Sequence, residues 1–143
     1  MSEMSQFWFT SPRFQVEVGE DEETNPGRFG RQLARWLADA LHDAGYPEAK
    51  AEPEDWGWRI RCERKPVELS VNCGNVGDEP TPDGEGVLPE ASSIVWHCFV
   101  SAEPGLLQRL FKSGNAEPAI SRLSKALEGI LVSEPSITLV EEQ

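Results

Sequence analysis

The sequence predicts a single α+β domain, an antiparallel sheet with a long N-terminal helix and two C-terminal helices packed on it. Three observations lead there. Short segments alternate apolar and polar residues, the period of half-buried strands. Two longer segments repeat apolar residues at spacings of three and four, the period of amphipathic helices. The helical stripes and the apolar face of a Trp-rich hairpin each need a partner, and each supplies one for the other.

Residues 1–5 read as a loose tail and residues 6–143 as the domain. Gln6–Thr10 and Phe14–Val18 are strand candidates separated by Ser11-Pro12; in the second, Phe14, Val16 and Val18 alternate with Gln15 and Glu17. Gly19–Gly27 is a loop holding four consecutive acids, Glu20, Asp21, Glu22 and Glu23. Arg28–Ala44 is the clearest helix. Phe29, Leu33, Trp36, Leu37, Ala40, Leu41 and Ala44 form its stripe, Thr24 or Asn25 caps it, and Gly45 stops it. Arg28, Arg31 and Arg35 recur on one side of it and are placed to pair with Glu20–Glu23.

Tyr46–Asp55 reads as a connection. Trp56–Glu63 and Pro66–Cys73 then form a hairpin. A two-residue turn at Arg64-Lys65 keeps the apolar faces together, setting Cys62 opposite Val67, Ile60 opposite Leu69, Trp58 opposite Val71 and Trp56 opposite Cys73. Trp56 and Trp58 then project from one face, and Gly57 leaves the other face open to close approach. Gly74–Ser92 is a long loop with Asp78, Glu79, Asp83, Glu85 and Glu90 and no basic residue. Ser93–Ser101 is a strand apolar on both faces, with Ile94, Trp96, Cys98 and Val100 on one and Val95, His97 and Phe99 on the other. Gly105–Lys112 and Glu117–Val132 read as helices and Ser136–Val140 as a last strand.

Composition narrows the function. A chain of 143 residues buries roughly 70% of its unfolded surface without a disulfide staple. Its 13 basic and 25 acidic residues give a net charge of −12. That disfavours direct binding to nucleic-acid phosphates or to an anionic membrane. No apolar run approaches a membrane span, no basic residue precedes the Phe7-Trp8-Phe9 cluster, and three cysteines fit a reducing compartment, so the expected location is cytoplasmic.

Chemistry-bearing motifs are sparse. No Cys-x-x-Cys, Gly-x-Ser-x-Gly, phosphate loop or dinucleotide fingerprint occurs. In the derived register Cys62 and Cys73 lie about 20 Å apart, and His97 and Cys98 point to opposite faces. No catalytic residue, metal or cofactor is assigned. His42, late in the first helix, is explained by the helix dipole.

Asn25-Pro26-Gly27, Glu54-Asp55-Trp56-Gly57-Trp58 and Cys73-Gly74-Asn75 together resemble a pattern in small uncharacterised bacterial α+β proteins. In size and charge the chain is also similar to acidic immunity or inhibitor proteins of bacterial conflict systems.

The leading functional expectation is a non-enzymatic acidic binding protein that neutralises or regulates a basic protein partner. Its candidate contacts are Glu20, Asp21, Glu22, Glu23, Asp78, Glu79, Asp83 and Glu85. The alternative is a small-ligand pocket or minor enzyme around Trp56, Trp58, Asn72, His97 and Phe99. A nucleic-acid mimic is a third reading, disfavoured by the arginines mixed among the acids. Self-association as a homodimer stays open.

Overall fold

The computed structural model describes residues 5–64, 67–77, 88–104 and 117–143. Its centre is a six-stranded sheet built from β1 (Gln6–Thr10), β2 (Lys50–Glu54), β3 (Gly57–Glu63), β4 (Val67–Asn75), β5 (Trp96–Pro104) and β6 (Thr138–Val140). The strand order is β2-β3-β4-β5-β1-β6, and every neighbouring pair is antiparallel. Strands β2 to β5 follow one another across the sheet, and β1 closes between β5 and β6.

Register decides which side chains share a face. Trp58 is opposite Cys73, Cys73 opposite Cys98 and Cys98 opposite Phe7, so these four form one row. Ile60, Val71 and Val100 form the next row, and Asn75, Trp96 and Phe9 the row on the other side. The helices α1 (Arg31–Asp43) and α2 (Glu117–Ser133) cover this face, α1 over β2 and β3 and α2 over β5, and they touch each other. Leu33, Leu37 and Leu41 from α1 meet Leu123, Leu127 and Leu131 from α2 in one core with Phe7, Phe9, Trp58, Ile60, Val71 and Trp96.

The expected architecture needs correction. Instead of a long N-terminal helix and two C-terminal helices, the described residues hold two α-helices, a short N-terminal one of 13 residues and a C-terminal one of 17. The expected helix Gly105–Lys112 lies outside the described residues. Helix α1 begins three residues later than its periodicity implies because Gly27 and Gly30 adopt positive φ, 82° and 137°, which keeps the intervening backbone out of the helix. Neither Thr24 nor Asn25 caps it. Glu20, distant in sequence, does so: its Oε1 accepts from the N–H of Gly30 at 2.9 Å and of Arg31 at 3.2 Å.

Phe14–Val18 is not a strand. Phe14 and Val16 are buried, but no strand among the described residues pairs with them. Their neighbours' backbone donors go to side chains instead, Gln15 N–H to Gln32 Oε1 at 2.8 Å and Glu17 N–H to Glu20 Oε2 at 2.8 Å. Conversely, the supposed connection Tyr46–Asp55 contains β2. Its Lys, Glu and Pro content is that of a protected sheet edge, where Pro53 costs no ladder bond on the open side.

The hairpin of β3 and β4 keeps its apolar face but not its expected register. Ile60 pairs with Val71 and Trp58 with Cys73, two residues from the expected partners, with a bulge between Arg61 and Glu63. An offset of two preserves the side of every residue, which is why burial was legible while pairing was not.

Cys62, Cys73 and Cys98 are free and buried. Burial pushes the Cys62 thiol up to about 12 and the Cys98 thiol well above its ordinary value. A thiolate is the reactive species. Native protein is therefore expected to resist a thiol reagent on a timescale that labels all three cysteines after denaturation, read by intact-mass spectrometry. Rapid native labelling of any one would contradict the packing. No helix among the described residues is long and apolar enough to cross a membrane.

Candidate functional site

The helices leave the second sheet face uncovered among the described residues. Side chains alternate, so Phe7 and Phe9 in the core force Trp8 to this face, and Trp96 and Cys98 force His97 there likewise. The β1–β5 register puts Trp8 directly opposite His97. Their rings stack with centroids 4.6 Å apart and planes 7° from parallel. Phe99, two residues along β5, extends the row, its centroid 5.0 Å from that of His97. Stacked aromatic rows of this kind combine a broad apolar surface with an electron-rich face.

A cleft of about 400 Å³ opens beside this row. Trp8, His97 and Phe99 line it on one side, Trp56 and Arg28 on another, and Gly74 lies among its lining residues. Trp56 is not in β3. Glu54 pairs with Gly57, so Asp55 and Trp56 form a two-residue turn between β2 and β3. Strand alternation no longer ties Trp56 to Trp58. Trp56 is 38% exposed and lines the cleft, whereas Trp58 is 3% exposed in the core on the other side of the sheet. The expected pairing of the two tryptophans on one face is thus corrected by the position of the turn.

Two glycines make room for this turn. A Cβ on Gly57 would lie 2.6 Å from the Cys73 carbonyl oxygen, and one on Gly74 would lie 3.2 Å from the Trp56 carbonyl oxygen. Arg28 fastens the arrangement. Its Nε donates to the Trp56 carbonyl at 3.0 Å and its Nη1 to the Gly77 carbonyl. Asn75 holds the loop that carries Arg28. Its Nδ2 donates to the carbonyls of Gly27 and Gly77, each at 2.9 Å, and its Oδ1 accepts from Phe29 N–H at 2.9 Å.

His97 is held in one orientation. Its Nε2 lies 3.0 Å from Gln6 Oε1, an acceptor, so that nitrogen carries the proton. Desolvation lowers its pKa below the ordinary histidine value, against an opposing pull from Glu142, so the ring is neutral near neutral pH. Cys98 is on the far face. The cleft thus offers stacking and electron-rich surface, the chemistry of binding.

Three of the five residues expected to form a pocket, Trp56, His97 and Phe99, line this one cleft. Asn72 shares the sheet face but is buried beneath it, its Nδ2 donating to Ser101 Oγ at 2.8 Å. Trp58 is on the opposite side. The sequence reading missed Trp8 and Arg28. Alternation in Phe7-Trp8-Phe9 carried the signal for Trp8; nothing local marked Arg28, whose partners lie 28 and 49 residues away.

The first acidic loop is partly internal. It folds as a single 3₁₀ turn over Glu20–Glu22, with Glu20 1% and Asp21 8% exposed. Asp21 Oδ2 accepts from Gly27 N–H at 2.9 Å. Glu23 and Glu17 pair with Arg31 at 2.7 and 2.9 Å, and Glu22 is exposed. The Gln32 amide and the Arg31 guanidinium hold the Glu17 carboxyl below its ordinary range. Asp78, Glu79, Asp83 and Glu85 lie outside the described residues. No group of three His, Cys, Asp or Glu gathers as a metal site among the described residues. No protein-family model matches this sequence, and no curated protein or solved structure does.

Proposed function

We propose that this protein is a non-enzymatic binding module, acting in the cytoplasm, that docks a basic protein partner on the sheet face away from α1 and α2. Binding is itself the activity, as in an immunity or inhibitor protein. One observation carries the reading: Trp8, His97 and Phe99 form a continuous aromatic row on that face, outside the core formed by the described residues. Aromatic residues in such positions are the usual anchors of an interface. The net charge of −12 favours encounter with a basic surface and selects against acidic ones. Three of the four acids in the first loop, Glu20, Asp21 and Glu23, accept internal hydrogen bonds, so recognition is centred on the sheet rather than on that loop.

The cleft volume lies within the range of small-molecule sites, which supports a ligand pocket as the second reading. The test is capture of partners from the native host followed by binding kinetics with variants of the sheet face. Phe99→Ala should weaken the captured partner by roughly 30-fold, the scale of a buried aromatic anchor. Rising salt should slow association. Self-association through this face would appear instead as a concentration-dependent sedimentation mass. A partner indifferent to Phe99→Ala, but lost when Glu22 and Glu23 are neutralised, would return recognition to the acidic loop.

A further inference from the structure

We propose that the cleft between the aromatic row and the Trp56 turn receives a single guanidinium or ammonium group, an arginine or lysine side chain presented by the partner. The inference rests on the reading of the sheet face as the docking surface and adds its chemical specificity. Trp8, Trp56 and Phe99 all line the cleft, and ring faces of this type attract a cation, indole most strongly. The protein already uses its indoles in this way. The Arg59 guanidinium carbon lies 5.9 Å from the centroid of the Trp56 ring, and that of Arg13 lies 5.7 Å from the centroid of Trp36.

The charge of the chain as a whole, −12, favours the same ligand. His97 is neutral for the reason given above and adds no repulsion. Arg28 is the one cation among the described lining residues, and two of its donors, Nε and Nη1, are spent on the carbonyls of Trp56 and Gly77. It therefore holds the wall together rather than presenting those donors to an anion. Glu142 acts electrostatically on His97, and its chain neighbour Gln143 lines the cleft. Over the whole chain the excess of acids draws cations and repels phosphate or carboxylate ligands. An arginine or lysine stem would cover the apolar rings while its charged end meets the aromatic lining.

The experiment titrates the ¹⁵N-labelled 143-residue chain with hexa-arginine amide, hexa-citrulline amide as the neutral isostere, and adenosine monophosphate as an aromatic anion. Saturable binding of hexa-arginine should move the Trp8 and Trp56 indole N–H signals, and hexa-citrulline should bind about tenfold more weakly or not at all. Trp8→Ala should weaken hexa-arginine about tenfold, with far-UV circular dichroism confirming the fold. Phe99→Leu keeps apolar bulk without the ring and should also weaken it, which covers a failure of Trp8→Ala to fold. Glu142→Gln should weaken it several-fold. Equal binding of hexa-citrulline, stronger binding of adenosine monophosphate, or indifference to the ring variants would overturn the inference. If hexa-arginine then still moved the amide signals of β1 and β5, the sheet-face reading would stand without the cationic cleft. Shifts confined to α1 and the Glu20–Glu22 turn would remove both.

Discussion

Trp58→Ala is expected to lower the unfolding free energy by about 3–5 kcal/mol, whereas Trp56→Ala, two residues away, should cost less than about 1 kcal/mol. The Trp58 indole fills the core between α1 and the sheet at 3% exposure, and truncation leaves a cavity that α1 and β4 close only in part. Trp56 is on a turn and 38% exposed. Trp58→Phe should cost much less than Trp58→Ala, since the Trp58 Nε1 has no hydrogen-bond partner among the described residues, and the smaller ring removes a buried orphan donor. Urea denaturation of the three variants gives the comparison. A cost for Trp58→Ala below about 1 kcal/mol with an unchanged fold would mean that Trp58 faces solvent or a ligand.

Glu20→Ala is expected to destabilise the fold by about 2–4 kcal/mol, although Glu20 lies within a run of four acids that reads as a solvated turn. One carboxylate accepts three backbone N–H groups, those of Glu17, Gly30 and Arg31. Two of these are the first donors of α1, which have no partner within the helix. Removing the acceptor leaves the buried Gly30 N–H and the part-buried Arg31 N–H unpaired, and it also removes a negative charge favourable at a helix N-terminus. Glu20→Gln retains one acceptor oxygen but sets an amide donor against a backbone donor, so an intermediate loss is expected. Glu22→Ala is the control, since that side chain is exposed, and should change stability by no more than about 0.5 kcal/mol. Equal, small effects from Glu20→Ala and Glu22→Ala would free the whole loop for a partner.

These two cases mark the boundary of what local pattern conveys. Periodicity located the stripes of α1 and α2, because a helix must turn its apolar side to a core whatever that core is. Alternation assigned faces in β3, β4 and β5, because successive side chains in a strand point to opposite sides. It could not see that Gly57, and not Trp56, opens β3, since the turn is set by pairing with β2, a strand that its lysine, glutamates and proline disguised as a loop. Nor could it tell Phe14–Val18 from a strand: those residues bury the same alternate side chains, but their backbone donors are met by Gln32 and Glu20 rather than by a ladder.

The candidate site divides in the same way. His97 and Phe99 were legible as the outward side of a strand apolar on both faces, and Trp8 was equally so from its neighbours. The cleft itself was not, because it needs the Trp56 turn brought against Gly74 and fastened by Arg28, contacts that span 28 residues and more of sequence. Likewise the chain's own residues determined its charge, its helical stripes and the sidedness of its strands. Tertiary structure decided which acids face inward, where α1 begins and which tryptophan is exposed. Sidedness follows from covalent geometry and is set residue by residue. Buried donors such as the N–H groups of Phe29 and Gly30 must find an acceptor wherever the fold brings one, and here the acceptors are Asn75 and Glu20, 46 and 10 residues away.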